Sequence, residues 1–411
     1  MIIIHTMDRY LPRLVEPLLK KAAKTSPVLV ITGARQTGKS TLVRHVAPQA
    51  SYVTLDDVDV LERARREPDA LLRGAGHMVL DEVQRSPELL LAVKRAVDVH
   101  RKPGQFILTG SANLLLMKSV SESLAGRALH ITLWPMTRRE QLDLGTAGLW
   151  SRLFQVRGDE WPDLLRAEKT ARADWRDLAR RGGYPTPAHA LEDAEARQQW
   201  FSGYTQTYLE RDLRDLSMVA SVVDFRRLMR AICLRIGNLV NQTELGRDVG
   251  LPQPTIYRYL GLLEVSHQLV RVPAYAVNRT KRLIKTPKLY WSDTGLALFL
   301  SGESELRGAH LENLVLSDLS AWRSSAVDVP EILYWRTSTG HEVDFVIEWQ
   351  GRLLPIEVKS TERPRLADAE NLRMFRDEYR KQALPGLVLH AGTEITWLAD
   401  GILACPWWSV V

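Results

Sequence analysis

Residues 33 to 40 read Gly-Ala-Arg-Gln-Thr-Gly-Lys-Ser, a run of the form GxxxxGK[ST] set between the apolar stretch Val28–Thr32 and a helix-forming stretch from Thr41 to Val46. No other segment restricts the fold as tightly. A glycine-rich turn between strand and helix lets successive backbone N–H groups curl around phosphate oxygens at the positive end of the helix. Gly33, Ala34, Arg35, Gln36, Thr37, Gly38, Lys39, Ser40 and Thr41 are therefore the candidate nucleotide-binding residues. Lys39 is placed to reach the β and γ oxygens, and the Ser40 hydroxyl to ligate Mg²⁺, so ATP and Mg²⁺ are the expected ligands.

Such a turn needs a parallel sheet, and the chain supplies its strands. Short apolar runs at Val28–Thr32, Ser51–Leu55, His77–Leu80, Phe106–Thr109 and Leu129–Leu133 alternate with amphipathic helical stretches. That rhythm predicts an α/β fold with helices on both faces of the sheet. The third run ends in Asp81 and Glu82. Asp81 is expected to hold Mg²⁺ through water, and Glu82 to orient and deprotonate the attacking water. The next run ends Leu108-Thr-Gly-Ser-Ala-Asn113, which offers Ser111 as the sensor of the γ-phosphate, with Thr109 and Asn113 beside it.

The 411 residues suffice for two or three cores. Two widely separated cysteines, Cys233 and Cys405, suggest neither a disulfide framework nor a zinc site. No stretch reaches the ~20 apolar residues of a membrane helix, and no signal-peptide pattern opens the chain, so a cytoplasmic protein with no membrane partner is expected. The net charge of +6 tilts towards an anionic partner. Composition shifts divide the chain into an ATPase core over 1–134, a helical lid over 135–219, a winged helix-turn-helix over 220–288 and a C-terminal α+β domain over 289–411.

Gly33-Ala-Arg-Gln-Thr-Gly-Lys-Ser-Thr41, Leu80-Asp-Glu-Val-Gln84, Leu108-Thr-Gly-Ser111 and Leu124-Ala-Gly-Arg127 together resemble the prokaryotic AAA-type P-loop ATPases that carry an uncharacterised, nuclease-like C-terminal domain. The resemblance extends through Arg181-Gly-Gly-Tyr-Pro185, Tyr208-Leu-Glu-Arg-Asp212, Lys288-Leu-Tyr-Trp-Ser-Asp-Thr-Gly-Leu296, Glu342-Val-Asp-Phe345 and Ile356-Glu-Val-Lys359. It implies an AAA-like fold. It also implies that Arg127 is inserted into a neighbouring subunit's site, where a guanidinium stabilises charge on the transferring phosphoryl group. That role brings with it a homo-oligomeric ring, a hexamer among the sizes it allows. Arg211 is a second arginine that could reach the γ-phosphate, or else form a salt bridge within the lid.

Two further regions carry candidate chemistry. In the winged helix, Thr243 is a candidate cap for a first helix, and Pro254 to Glu264 form the second, with Ile256, Tyr259, Leu260 and Leu263 inward and Gln253, Thr255, Tyr257 and Arg258 outward. A strand from Gln268 to Pro273 follows, and then Arg279, Lys281, Arg282, Lys285 and Lys288 concentrate five cations in ten residues. Backbone-directed charge of this kind predicts DNA binding with little sequence specificity. In the C-terminal domain a hairpin around Ser338-Thr-Gly340 is followed by a strand from Arg352 to Lys359. Asp344, Glu357 and Lys359, with Glu312 on the preceding helix, resemble the PD-(D/E)xK nuclease constellation, in which carboxylates bind Mg²⁺ and the lysine activates water.

The leading expectation is an oligomeric ATPase that remodels or translocates on DNA, branched DNA included. Two alternatives stay open: an ATP-regulated, metal-dependent DNA nuclease, and a signalling or scaffold ATPase whose winged helix contacts protein.

Overall fold

A computed structural model describes residues 9–74, 76–110, 124–168, 170–209 and 221–411. Ser111, Asn113 and Arg211 lie outside these.

Five strands, β1 (Val28–Thr32), β2 (Ser51–Thr54), β3 (Met78–Asp81), β4 (Phe106–Thr109) and β5 (Ala128–Thr132), pair in parallel in the order β2-β3-β4-β1-β5. The apolar run of β1 is unbroken because both faces are covered. Val28 and Val30 pack into the layer around Leu80, Leu90, Phe106 and Leu108, while Leu29 and Ile31 pack on the opposite side with Leu42, Val79, Ile107 and Ile131. The strand order sets the chemistry. Strand β4 separates β1 from β3, so the C-terminal ends of all three converge and bring the glycine loop, Asp81 and Thr109 to one edge.

The described part of 135–209 is helical and shares its core with the rest of the chain. One buried cluster joins Ala34 of the glycine loop to residues spread from Leu149 to Val411. Trp150 donates its indole N–H to Asp318 at 2.6 Å, and Arg138 donates to the Val411 carbonyl at 3.0 Å. The tryptophans at 150, 161 and 175 are buried, so they serve this shared core rather than a nucleotide-facing surface.

The segment 221–291, where the sequence suggests a winged helix, holds helices and a strand pair. Helices Val222–Cys233, Gln242–Val249 and Gln253–Val265 precede the antiparallel pair β6 (Leu269–Val272) and β7 (Lys288–Trp291). The helix at Gln242 is capped by the side chain of Asn241, two residues before Thr243, because the Asn oxygen accepts from the N–H groups of Thr243 and Glu244 at 3.0 and 3.3 Å. The second helix buries Ile256, Tyr259, Leu260 and Leu263, as its spacing requires.

The C-terminal sheet runs β12 (Thr396–Ala399), β13 (Ile402–Pro406), β11 (Gly386–His390), β10 (Arg352–Lys359), β9 (Glu342–Trp349), β8 (Glu331–Arg336). Strands β8, β9 and β10 form antiparallel hairpins, and β10, β11 and β13 are parallel. Helix Gly308–Ser325 contributes Leu311, Val315 and Leu319 to the layer that contains Phe345, Ile356 and Leu387, while Leu372 and Phe375 of helix Glu370–Glu378 join the opposite layer with Val343 and Val388.

Candidate functional site

The glycine loop takes its shape from backbone that only some residues tolerate. Gly33 has φ 148°, and a Cβ there would lie 2.2 Å from the Leu133 carbonyl oxygen just beyond β5. Gly38 has φ 92° and opens helix Lys39–Val46. Thr37 ties the turn by donating to the Ala34 carbonyl at 2.9 Å. Lys39 is buried, and its ammonium donates to the Ala34 and Gly33 carbonyls at 2.8 and 3.2 Å. Burial pushes its pKa down to about 8, against the attraction of Glu82 and Asp81. A phosphate placed beside this desolvated cation meets an uncommonly strong field.

Asp81 is the hub of the opposite wall. Its carboxylate accepts from Ser40 Oγ at 2.8 Å and also from the hydroxyls of Tyr52 and Thr109. Ser40 and Asp81 are thus two hard oxygen donors side by side, a pair that fits a Mg²⁺ ion bound directly by the hydroxyl and through water by the carboxylate. The adjoining Glu82 has φ 59°, a left-handed conformation rare for a residue with a side chain, and Gln84 donates to its carboxylate. Thr109, which the sequence offers beside Ser111 as a sensor, is bonded to Asp81.

Several contributors carry no local motif. Arg13, buried in front of the first helix, donates to the Thr37 and Trp134 carbonyls, each at 2.7 Å, and pairs with Glu140 at 3.1 Å. It braces the loop from a position only the folded chain reveals. Tyr52 likewise comes from β2, which β3 and β4 separate from β1. Asp293 does have a signal, the Ser-Asp-Thr-Gly run. It caps helix Thr294–Ser301 and accepts from Gly183 N–H at 2.6 Å, and a Cβ on Gly182 would strike it at 2.6 Å. Gly182 leaves room for this carboxylate, whose pKa burial raises to about 6, while Gly183 leaves room for the Met136 carbonyl, which a Cβ there would strike at 2.3 Å.

Arg127 sits at the N-terminal end of β5, where its carbonyl accepts from Val28 N–H, the opposite end of the sheet from the loop. At about 3.3 Å per residue the strand separates it by roughly 16 Å from its own P-loop. Its guanidinium forms a two-pronged pair with Asp98 at 2.6 and 3.0 Å.

The candidate DNA face is only partly a face. Tyr257 and Arg258 are exposed on helix Gln253–Val265, and Lys281 and Lys285 are exposed beyond β6. Arg282 is a correction: it is 6% exposed and bonded to Glu331 at 2.8 Å, Glu348 at 2.5 Å and the Ala276 carbonyl at 2.7 Å. Arg279 is exposed but leans on Glu348 at 3.5 Å. The wing region docks on the C-terminal domain, where Tyr275 N–H donates to the Tyr334 carbonyl of β8, and these inward charges fasten the junction.

Lys288 is the larger correction. Counted in the sequence among the five cations of the basic wing, it is 2% exposed, and its ammonium lies 2.5 Å from Glu342 and 3.3 Å from Asp344. Burial alone would lower its pKa, but Asp344, Glu312 and Glu342 outweigh burial and hold it above the ordinary range. Around it gather the sequence-predicted residues. Asp344 also accepts from Val358 N–H at 2.9 Å, Glu357 from Lys359 at 2.6 Å, and Glu312 from Tyr290 at 3.1 Å. Burial, followed by the charge of Asp344, raises both Glu312 and Glu357 well above the usual carboxylate range. The four predicted residues are brought together, but a lysine from β7 stands against Asp344 where the nuclease reading puts a metal. Among the described residues no group of three or more His, Cys, Asp or Glu is arranged to hold one. As arranged, Asp344 is paired with the Lys288 ammonium.

Comparison with known proteins agrees with the geometry of the first site. Residues 25–142 match the model of an AAA domain, 172–307 a domain of unknown function (DUF8612) and 307–410 another (DUF4143). An uncharacterized protein of Mycobacterium tuberculosis is 29% identical over 398 residues, covering 94% of this chain and 82% of its own. One of Methanocaldococcus jannaschii is 23% identical over 336 residues, 78% of this chain and 72% of its own. Among solved structures, the Walker-type ATPase of Pyrococcus abyssi aligns at 17% identity with a TM-score of 0.41, covering 71% of this chain and 99% of that one. No helix among the described residues is long and apolar enough to cross a membrane. Residues 25–142 thus combine a match to an AAA domain with a glycine loop, a five-stranded parallel sheet and an acidic pair, within a mixed α/β chain.

Proposed function

We propose that this protein hydrolyses ATP and, as a homo-oligomer, spends the turnover on remodelling or translocating along DNA. The observation that carries the ATPase reading is the junction of Ser40, Thr109 and Tyr52 on Asp81, facing the buried ammonium of Lys39. Lys39 and the loop N–H groups bind the phosphates, and Glu82 orients and deprotonates the attacking water. Ser40 and Asp81 would hold Mg²⁺, which supplies neutralising charge on the β and γ phosphates.

Arg127, too far from its own loop, suits a role in a neighbour's site. Breaking its pair with Asp98 is the cost of that role, and an exposed pair of this type is weak. Arg127→Ala is expected to bind ATP normally and lose hydrolysis by about a thousandfold, the lower bound for an arginine finger. Mixing it with Lys39→Ala subunits restores part of the activity, since one interface then pairs an intact loop with an intact arginine. Full phosphate release by Arg127→Ala alone would end the trans role.

For DNA, support comes from the exposed set Tyr257, Arg258, Lys281 and Lys285. Replacing Arg258, Lys281 and Lys285 by Gln should weaken binding to all duplex sequences alike and flatten the salt dependence by roughly 0.9 in log–log slope per lost phosphate contact. Arg282→Gln is expected to lower stability and leave that slope alone. A slope unchanged in the triple variant would place binding elsewhere. The nuclease alternative loses ground to Lys288. The scaffold alternative predicts turnover indifferent to DNA, and the same assay separates it.

A further inference from the structure

Helix Gln253–Val265 of the winged-helix segment ends in a turn that touches Trp134 and, through Tyr204, the Arg35 carbonyl of the P-loop. Gln268 N–H bonds to the Leu263 carbonyl at 2.9 Å and His267 N–H to the Glu264 carbonyl at 3.0 Å, the paired bonds of a Schellman cap. His267 occupies the left-handed position of that cap, with φ 55°. Glycine or asparagine is the usual choice there, so an imidazole is held where helix termination does not ask for one.

What surrounds the imidazole belongs to the nucleotide site. The ring lies edge-on to Trp134, with centroids 5.5 Å apart. Trp134 follows Leu133, whose carbonyl crowds Gly33, and its own carbonyl accepts from Arg13, which also holds the Thr37 carbonyl. His267 Nε2 is buried and has no hydrogen-bond partner. A buried imidazole nitrogen without a partner is unfavourable unless a ligand completes it. Burial, and then the nearby charge of Lys39, lowers the ring's pKa to about 4, so it is neutral at pH 7 and compatible with a cation across the site. The next residue is tied in as well. Gln268 bonds to Tyr204 and Tyr184 at 3.1 and 3.3 Å, and Tyr204 donates to the Arg35 carbonyl of the loop at 3.4 Å.

We infer that His267 completes the nucleotide site from the winged-helix side, its Nε2–H donating to a phosphate oxygen held by Lys39, so that this turn reports nucleotide occupancy to the winged helix. This rests on the reading of the loop as an ATP site. A donor to a charged phosphate oxygen is worth roughly tenfold to a hundredfold in affinity.

The test measures ATP binding by the full-length chain as wild type, Lys39→Ala and His267→Phe, which keeps a ring against Trp134 and removes both nitrogens. Amide exchange at 266–268 is followed with and without ATP. Wild type that binds no ATP refutes the ATP-site reading itself. Given wild-type binding, His267→Phe should raise Kd at least tenfold and abolish ATP-induced protection of the turn, with thermal stability in the absence of nucleotide unchanged or higher. Affinity and protection equal to wild type in His267→Phe, with Lys39→Ala impaired, would overturn the inference. If the phenylalanine variant does not fold, His267→Gly, which takes a positive φ freely, carries the same two outcomes.

Discussion

Lys39→Ala is expected to lose detectable ATP turnover and to bind ATP at least tenfold more weakly, while Glu82→Gln retains ATP and hydrolyses it at least a hundredfold more slowly. The two residues fail differently because they stand on different walls. Lys39 is a desolvated cation bonded to the Gly33 and Ala34 carbonyls, so its loss removes phosphate affinity outright. Glu82, held in a left-handed conformation beside Asp81, has no part in binding, and its amide isostere removes only the proton acceptor, an effect of about 10²–10⁴ in rate. Radioligand binding and phosphate release on the same preparations check both. Near-normal hydrolysis by Glu82→Gln would remove Glu82 as the base.

The second large effect is on stability. Lys288→Met should cost about 3–5 kcal/mol in denaturant unfolding, the range for removing one member of a buried ion cluster and leaving the others uncompensated. Glu342 and Asp344 lose their ammonium, and Glu312 and Glu357 lose a nearby positive charge while remaining buried. Lys281→Met and Lys285→Met, on exposed positions, should stay within about 0.5 kcal/mol of wild type. Equal midpoints for Lys288→Met and Lys281→Met would show that the cluster does not depend on this ammonium. Wild type incubated with Mg²⁺ or Mn²⁺ and ATP is expected to cut none of single-stranded, duplex, flapped or four-way DNA. Metal-dependent nicking lost in Asp344→Ala would reinstate the nuclease.

The contrast between Lys39 and Lys288 shows what the sequence could and could not display. The P-loop is contiguous, so the residues that shape it and the strand before it are visible at once, and β1, β4 and β10 lie where periodicity puts them. Asp81 is legible because it ends an apolar strand. Its partner Tyr52 is not, because only the order β2-β3-β4-β1-β5 sets it there. A charge run has no direction in sequence. Of the five cations from Arg279 to Lys288, Arg282 and Lys288 turn inward to carboxylates on β8 and β9, strands that the wing meets only through tertiary pairing. The packing of the helical segment is hidden for a related reason. Trp150, Trp161 and Trp175 mark helices that must be covered, but nothing local says that the cover is the C-terminal sheet.

The most direct test of the whole account is steady-state phosphate release by the full chain, with and without duplex or branched DNA, beside Glu82→Gln as the blank. The account predicts magnesium-dependent turnover, absent from the blank and accelerated when DNA is added. Turnover at the level of the blank would contradict the ATPase, and robust turnover that no DNA changes would contradict the DNA-coupled function.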